Sequence, residues 1–194
     1  MKKLTTYTVL ASIVIFGLFL PFIFDLVYYL HPIVLPVVYI LLFTFIFLVG
    51  LLITGQKLYL PLKVVDLLIS MYTLALLVLL FLRPNNQSYD SYNLIPFSTV
   101  VFYLSGQVSE LVAFYNLAAN VGLFVPFGIY LKIYRYSISQ IILLSFLSIS
   151  FIEMMQMFLN RGSLDIDDLI FNIIGVIIGS LIYPVFNKAC EITK

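Results

Sequence analysis

The sequence is poor in the residues that build disulfide frameworks, zinc sites and highly charged surfaces. Its one cysteine, Cys190, excludes an intrachain disulfide. Its one histidine, His31, excludes a zinc motif built on a histidine pair. Charged residues make up 10% of the chain, and the formal net charge is +1. This balance argues against a nucleic-acid partner, because such a partner requires a basic surface.

Apolar residues dominate what is present. They make up 63% of the chain, and the mean hydropathy is +1.14. This composition predicts an integral membrane protein, since no soluble domain of this length needs so much apolar surface. The apolar run from Leu4 to Phe24 fits either a signal peptide or an uncleaved membrane helix. Its length favours the helix, as does the absence of a small-residue cleavage site after it.

Six stretches have the roughly 20 mostly apolar residues that a membrane-spanning helix needs. Charged residues, proline or glycine separate them. The sequence therefore predicts an all-α, polytopic protein that forms a single membrane domain over residues 1–194. The predicted spans cover residues 4–24, 33–54, 64–82, 111–131, 137–159 and 169–186.

Lysine and arginine fall unevenly on the two sides of this arrangement. Placing both termini in the cytoplasm leaves only Arg83 and Arg161 outside. The positive-inside rule therefore predicts cytoplasmic N- and C-termini and an extracytoplasmic 160–168 loop. The inside set comprises Lys2, Lys3, Lys57, Lys63, Lys132, Arg135, Lys188 and Lys194.

The connection from 83 to 110 is long for a link between two helices. It begins polar and becomes apolar from Asn93 onward, but its apolar part is too short to cross a membrane. We expect an interfacial or re-entrant segment here, with a plain surface loop as the alternative.

Polar residues of the last three spans share helix faces. The pairs are spaced i, i+3 or i, i+4, and a rise of about 1.5 Å per residue places them at similar depth below the outer surface. Two interpretations remain open: an outward-facing polar pocket, which we favour, and hydrogen bonds that only join the helices. The pairs are Asn116 with Asn120, Glu153 with Gln156, and Asp168 with Asn172.

Glu153 is the charged residue placed deepest in these spans. A charge inside the membrane costs about 2.5–3.5 kcal/mol on insertion scales, so Glu153 needs a partner or a water-filled cavity. Arg161 is the nearby cation in the sequence, and a protonated Glu153 is the alternative.

The stretch Arg161–Asp168 (RGSLDIDD) concentrates charge between two apolar spans. Asp165 and Asp167 either form the rim of the pocket or lie in a solvated loop. Asp168 either joins the pocket or only caps the helix that follows, whose N-terminal amides favour a carboxylate.

Gly175 and Gly179 lie four residues apart on the last span. Two small residues at this spacing let another helix backbone approach closely. They predict packing against the 111–131 or the 137–159 span, with dimerisation as the alternative.

Five short motifs recur in the order and spacing of one family. The chain resembles the VanZ-like family over about residues 90–185, although Ala119 stands where family members often have glycine. The motifs are Asn93-Leu-Ile-Pro-Phe97, Asn116-x-x-x-Asn120, Phe124-Val-Pro-Phe-Gly128, Glu153-x-x-Gln156 and Arg161-x-x-x-Asp165-Ile-Asp-Asp168-x-x-x-Asn172-x-x-Gly175.

The resemblance implies a multi-pass protein of the bacterial cell membrane, linked to resistance against teicoplanin and related lipoglycopeptides. It leaves a housekeeping role in the cell envelope open. Membrane lipids are the expected partners, together with a lipid-linked cell-wall precursor or the lipoglycopeptide itself.

Three functions are compatible with these residues. The favoured one is a non-enzymatic protein that binds a lipid headgroup or wall precursor. The second is a membrane enzyme that acts on a lipid-linked substrate, with Glu153, Asp165 and Asp168 as candidate catalytic groups and Mg²⁺ or Ca²⁺ as its cofactor. A transporter is the least favoured; outside the enzyme hypothesis we predict no metal. The expected binding residues are Asn93, Asn116, Asn120, Glu153, Gln156, Arg161, Asp165, Asp168 and Asn172.

Overall fold

The computed structural model describes residues 2–27, 34–81, 92–106, 110–161 and 164–193. Most of these residues are helical, and four short strands form two small ladders. The helices are α1 (Lys2–Val27), α2 (Val34–Thr54), α3 (Leu62–Phe81), α4 (Ser98–Leu104), α5 (Glu110–Ile133), α6 (Ile138–Phe158) and α7 (Ile166–Ala189). The strands are β1 (Leu58–Pro61), β2 (Tyr92–Asn93), β3 (Leu164–Asp165) and β4 (Cys190–Thr193).

The predicted all-α, polytopic fold is confirmed. Among the described residues, five helices are long and apolar enough to cross a membrane, and α2 contributes a shorter apolar helix, Val38–Thr54. Large apolar side chains such as Leu18, Ile53 and Leu181 point outward, as expected of helices whose surroundings are lipid.

Helix ends differ from the predicted spans by a few residues. The largest consequence is at α7, which begins at Ile166 rather than at residue 169. Asp167 and Asp168 therefore belong to the first turn of a helix instead of to a loop. Of the connection 83–110, residues 83–91 and 107–109 lie outside the described part, and the remainder contains β2 and the short helix α4.

The chain divides into two compact units. The first comprises Met1–Leu60 with Val185–Thr193, and the second comprises Pro61–Pro184. In the first unit, Leu4, Leu51 and Cys190 form a small core beside the β1–β4 ladder. Lys57 donates a 2.8 Å hydrogen bond to Glu191 there, and this bond raises the pKa of the Lys57 ammonium.

The second unit is built on close contact between α5 and α7. A Cβ atom added to Gly175 would lie 2.1 Å from the carbonyl oxygen of Val121, and one added to Gly179 would lie 2.0 Å from that of Val125. Only glycine allows the backbones to approach this closely. The structure thus confirms the predicted packing of these glycines, and the neighbour is α5.

Further hydrogen bonds join α3 to the rest of this unit. The Tyr72 hydroxyl donates to the Leu123 carbonyl of α5 at 2.8 Å. The Tyr130 and Tyr134 hydroxyls both donate to Asp66 on α3, at 3.1 and 2.7 Å. The bond to Asp66 raises the pKa of the Tyr134 phenol, which lies just beyond the end of α5.

Candidate functional site

A polar cavity of about 390 Å³ lies in the second unit, with walls from α3, α4, α5 and α7. Asn116 and Asn120 reach it from successive turns of α5, and Asp168 reaches it from the first turn of α7. The i, i+4 spacing on α5 is what turns both amides to the same side. Tyr103, Leu79, Ala119 and Leu123 complete the lining.

Hydrogen bonds fix the polar side chains of this cavity. Asn120 Nδ2 donates to Asp168 Oδ1 at 2.5 Å, which joins α5 to α7. Asn116 Nδ2 donates to the Tyr103 hydroxyl at 3.1 Å, which joins α5 to α4. One N–H group of each amide therefore points at a protein oxygen. The amide and carboxylate oxygens are hydrogen-bond acceptors in the same lining.

Asp168 is half-buried at the N-terminal end of α7. It lies in the first turn of α7, where the helix dipole stabilises a negative charge. The Asn120 amide adds a donor to the carboxylate.

The two other carboxylates of this stretch hold the segment that leads into α4. Asp167, which is 0% exposed, accepts hydrogen bonds from the backbone amides of Phe97 at 2.5 Å and Thr99 at 2.8 Å. Phe97 has φ of 65°, a left-handed conformation that is unusual for a residue with a side chain. The Asp167 carboxylate therefore fixes a backbone turn.

Asp165 supports the same segment from β3. Its Oδ2 accepts a 2.7 Å hydrogen bond from the Thr99 hydroxyl, and its Oδ1 accepts a 2.9 Å bond from the Asp167 amide. Asn93 Nδ2 lies 3.4 Å from both carboxylate oxygens and 2.5 Å from the Ser98 hydroxyl. The parallel ladder that pairs Asn93 with Asp165 sets this geometry.

Glu153 lies away from the polar cavity. It is 7% exposed and lines a separate, mostly apolar cavity of about 170 Å³ together with Asp165, Leu164 and Leu169. The neighbouring predicted residue Arg161 follows the end of α6, and its backbone amide donates to the Gln156 carbonyl at 2.8 Å.

Gln156 and Asn172 line neither cavity and lie buried between packed helices. Gln156 Nε2 donates to the Leu80 carbonyl at 3.1 Å, which links α6 to α3. Asn172 is 5% exposed, and its Oδ1 is buried with no hydrogen-bond partner in the described part of the chain.

The predicted site residues are thus distributed over several environments. Asn116, Asn120 and Asp168 share the polar cavity, Asn93 contacts Asp165 at the β2–β3 ladder, and Glu153 and Asp165 both line the small cavity. Similar depth did not bring all of them together, because each helix turns its polar face toward a different neighbour. Within the described ranges, no group of three or more His, Cys, Asp or Glu residues is arranged to hold a metal ion.

Sequence reasoning did not single out Tyr103 or the anchoring role of Asp167. Tyr103 is one of 14 tyrosines, and no local pattern separates it from an interfacial aromatic residue. Asp167 is one of three closely spaced carboxylates, and the sequence does not show which of the three is buried.

A family model described as VanZ/LLP1 matches residues 67–187, which adds most of α3 to the region 90–185 that carries the sequence motifs. No curated protein and no solved structure matches the chain significantly.

Proposed function

The chain belongs to the VanZ/LLP1 family, and from this membership we propose that it is a non-catalytic protein of the bacterial cell membrane that binds a polar headgroup in the cavity of Asn116, Asn120 and Asp168. The headgroup belongs to a membrane lipid or a lipid-linked cell-wall precursor. Its capture reduces the access of teicoplanin-type antibiotics to their envelope target.

The hydrogen bond between Asn120 and Asp168 is the observation that carries this proposal. It holds the Asp168 carboxyl group at a fixed place in a cavity of about 390 Å³, which is within the range of about 300–1,000 Å³ typical of small-molecule sites. Because these hydrogen-bond acceptors are already held in place, the site needs little rearrangement when a ligand binds, and this preorganisation favours affinity.

The positive-inside bias supports an extracytoplasmic opening for this cavity. If both termini lie in the cytoplasm, Asn116 near the start of α5 and Asp168 near the start of α7 are on the outer side. A headgroup of the outer leaflet would reach them there.

The neighbouring carboxylates of Asp165 and Asp167 accept hydrogen bonds that hold the fold, and this also favours a binding function over a catalytic one. Asp165 and Asp167 accept six of the hydrogen bonds described above, all from the chain itself. A general acid or base must instead reach the reacting group of a substrate within hydrogen-bond distance.

Antibiotic susceptibility tests this proposal. Wild type, Asp168→Asn and Asn116→Leu are expressed in a susceptible bacterium, and Ser70→Ala on the exposed face of α3 is the matched control. We expect the two cavity variants to lose teicoplanin protection while the control keeps it, at equal protein levels in the membrane. Protection by Asp168→Asn equal to that of wild type contradicts the proposal.

A second candidate, an enzyme acting on a lipid-linked envelope substrate, is favoured by one observation. Glu153 and Asp165 line the same small cavity, so two carboxylates are available for acid–base chemistry or for oxygen ligation of Mg²⁺ or Ca²⁺. Purified protein is incubated with lipid-linked wall precursors, with and without EDTA. Product that requires the metal, and that Glu153→Gln no longer forms, would replace the binding proposal.

A further inference from the structure

The segment 92–104, which contains β2 and α4, carries an exposed apolar surface although it belongs to none of the membrane spans. It contains no charged residue. Leu104 is 81% exposed and Ile95 is 71% exposed. Exposed apolar side chains gathered outside a span mark an interaction with a protein or with a membrane. The others in this segment are Tyr92, Leu94, Phe97, Val101 and Phe102.

Polar groups of the same segment are directed the other way, toward the body of the second unit. Asn93 Nδ2 and Thr99 Oγ1 contact the Asp165 carboxylate, and the backbone amides of Phe97 and Thr99 donate to Asp167. The segment is therefore bound to the protein through polar groups and shows its surroundings mainly hydrocarbon. Elements that lie on a membrane surface have this division.

Both attachments of the segment lie where a membrane span begins. Asp167 is in the first turn of α7, whose apolar span starts at Ile166. The Tyr103 hydroxyl accepts its hydrogen bond from Asn116, the first residue of the apolar span within α5. Asn116 is about 9 Å along α5 from Glu110, at a rise of about 1.5 Å per residue. The segment 92–104 therefore lies beside the ends of the spans and does not project beyond them.

This level decides what covers the exposed side chains. An element beside the ends of two spans meets the headgroups and upper acyl chains of the bilayer, where apolar and aromatic side chains are favoured. α4 has only seven residues, so it can lie in this layer but cannot cross the membrane. A protein partner would call for a polar or charged rim around the apolar patch, and the segment offers no charge.

Tyr103 faces inward between two exposed neighbours. It lines the polar cavity, whereas Phe102 is 44% exposed and Leu104 is 81% exposed. α4 therefore lies between the polar cavity and the surroundings of the protein.

We propose that the segment 92–104 is a membrane-surface anchor, embedded in the leaflet on the side where α5 and α7 begin, and that α4 separates the polar cavity from the lipid of this leaflet. The partner is the lipid surface itself. The proposal goes beyond the proposed function and does not depend on what the polar cavity binds.

The sequence has no tryptophan, so a single introduced tryptophan reports its own surroundings. Full-length Leu104→Trp, Leu181→Trp and Tyr136→Trp are each reconstituted into lipid nanodiscs, which leave both membrane faces open to solvent. Leu181 is 68% exposed on the span of α7, and Tyr136 is 38% exposed between α5 and α6. The emission wavelength is measured, together with quenching by acrylamide from the water and by lipid brominated near the headgroup or near the chain end.

We expect Leu104→Trp to emit at shorter wavelength than Tyr136→Trp, to resist acrylamide, and to be quenched most by bromine near the headgroup. Leu181→Trp should be quenched most by bromine near the chain end, because it lies near the middle of its span. Emission of Leu104→Trp at the wavelength of Tyr136→Trp, with quenching by acrylamide alone, overturns the proposal in favour of a water-exposed loop. Short-wavelength emission that neither quencher reduces overturns it in favour of a protein contact.

Neighbouring positions test the orientation of α4. Phe102→Trp should be quenched by headgroup-proximal bromine as Leu104→Trp is, and it replaces that probe if Leu104→Trp does not fold. Tyr103→Trp should be quenched much less, because its ring faces the polar cavity. Equal quenching at all three positions overturns the place of α4 between cavity and lipid. These measurements use no antibiotic, so the anchor stands if Asp168→Asn leaves protection intact and only the proposed function fails.

Discussion

Asn120 on α5 donates a 2.5 Å hydrogen bond to the Asp168 carboxylate on α7. The same two helices contact each other backbone to backbone at Gly175 and Gly179. The glycine contacts fix the separation of the helices, and this separation lets two short side chains meet. The hydrogen bond thus depends on the packing below it, and the polar cavity depends on both.

The glycine contacts make a sharp prediction about stability. Gly179→Ala would place a Cβ atom 2.0 Å from the Val125 carbonyl oxygen, so α5 and α7 must separate. We expect the free energy of unfolding to fall by about 1–3 kcal/mol, as it does for overpacked cores. This loss would appear as a lower melting temperature in detergent. Gly122→Ala is the control, because nothing lies within 4 Å of its added Cβ. An equal loss in both variants would show that helix separation is not the cause.

Asp167 is predicted to anchor the segment before α4. Asp167→Ala removes the acceptor of the Phe97 and Thr99 amides, and each unpaired donor costs about 1–3 kcal/mol. Hydrogen exchange at these two amides should accelerate strongly. Thr99→Val, which removes only the hydroxyl bond to Asp165, should have the smaller effect. Unchanged exchange in Asp167→Ala would contradict this role.

Gln156 is predicted to contribute only to helix packing. Its hydrogen bond to the Leu80 carbonyl joins α6 to α3, and such bonds in membrane proteins contribute about 0.6–1.7 kcal/mol. Gln156→Leu should therefore lower the melting temperature slightly and leave teicoplanin protection unchanged. Lost protection at an equal protein level in the membrane would assign Gln156 to the binding site instead.

Membrane orientation can be tested with cysteine labelling, because the chain has only Cys190. In a Cys190→Ser background, Ser163→Cys should react with an impermeant maleimide added to intact cells. Arg135→Cys should react only after the cells are opened. Labelling of both positions from the same side would reject the arrangement with cytoplasmic termini.

Helical spans could be predicted from the sequence, because each needs about 20 apolar residues and little else. Their exact ends could not: α7 begins early enough to take in Asp167 and Asp168, and no periodic pattern marks that start. The seven-residue helix α4 and the two-residue ladder of Asn93 with Asp165 are also too short to carry a periodic signal.

The site was partly predictable for a similar reason. The i, i+4 spacing places Asn116 and Asn120 on one face of α5, and this much is local geometry. Which helix that face meets depends on the rotation of every neighbour. The sequence therefore identified Asp168 as a candidate site residue. It could not predict that Asp168 bonds to Asn120, or that Glu153 lines a different cavity.

Lipid retention by the purified protein tests the central claim most directly. Wild type and Asp168→Asn are purified in mild detergent from the same bacterial strain, and their bound lipids are identified by mass spectrometry against the lipids of the whole membrane. The account predicts that wild type is enriched in a particular lipid headgroup and that Asp168→Asn has lost this enrichment. Retention of the same lipids in the same proportions by both proteins would contradict it.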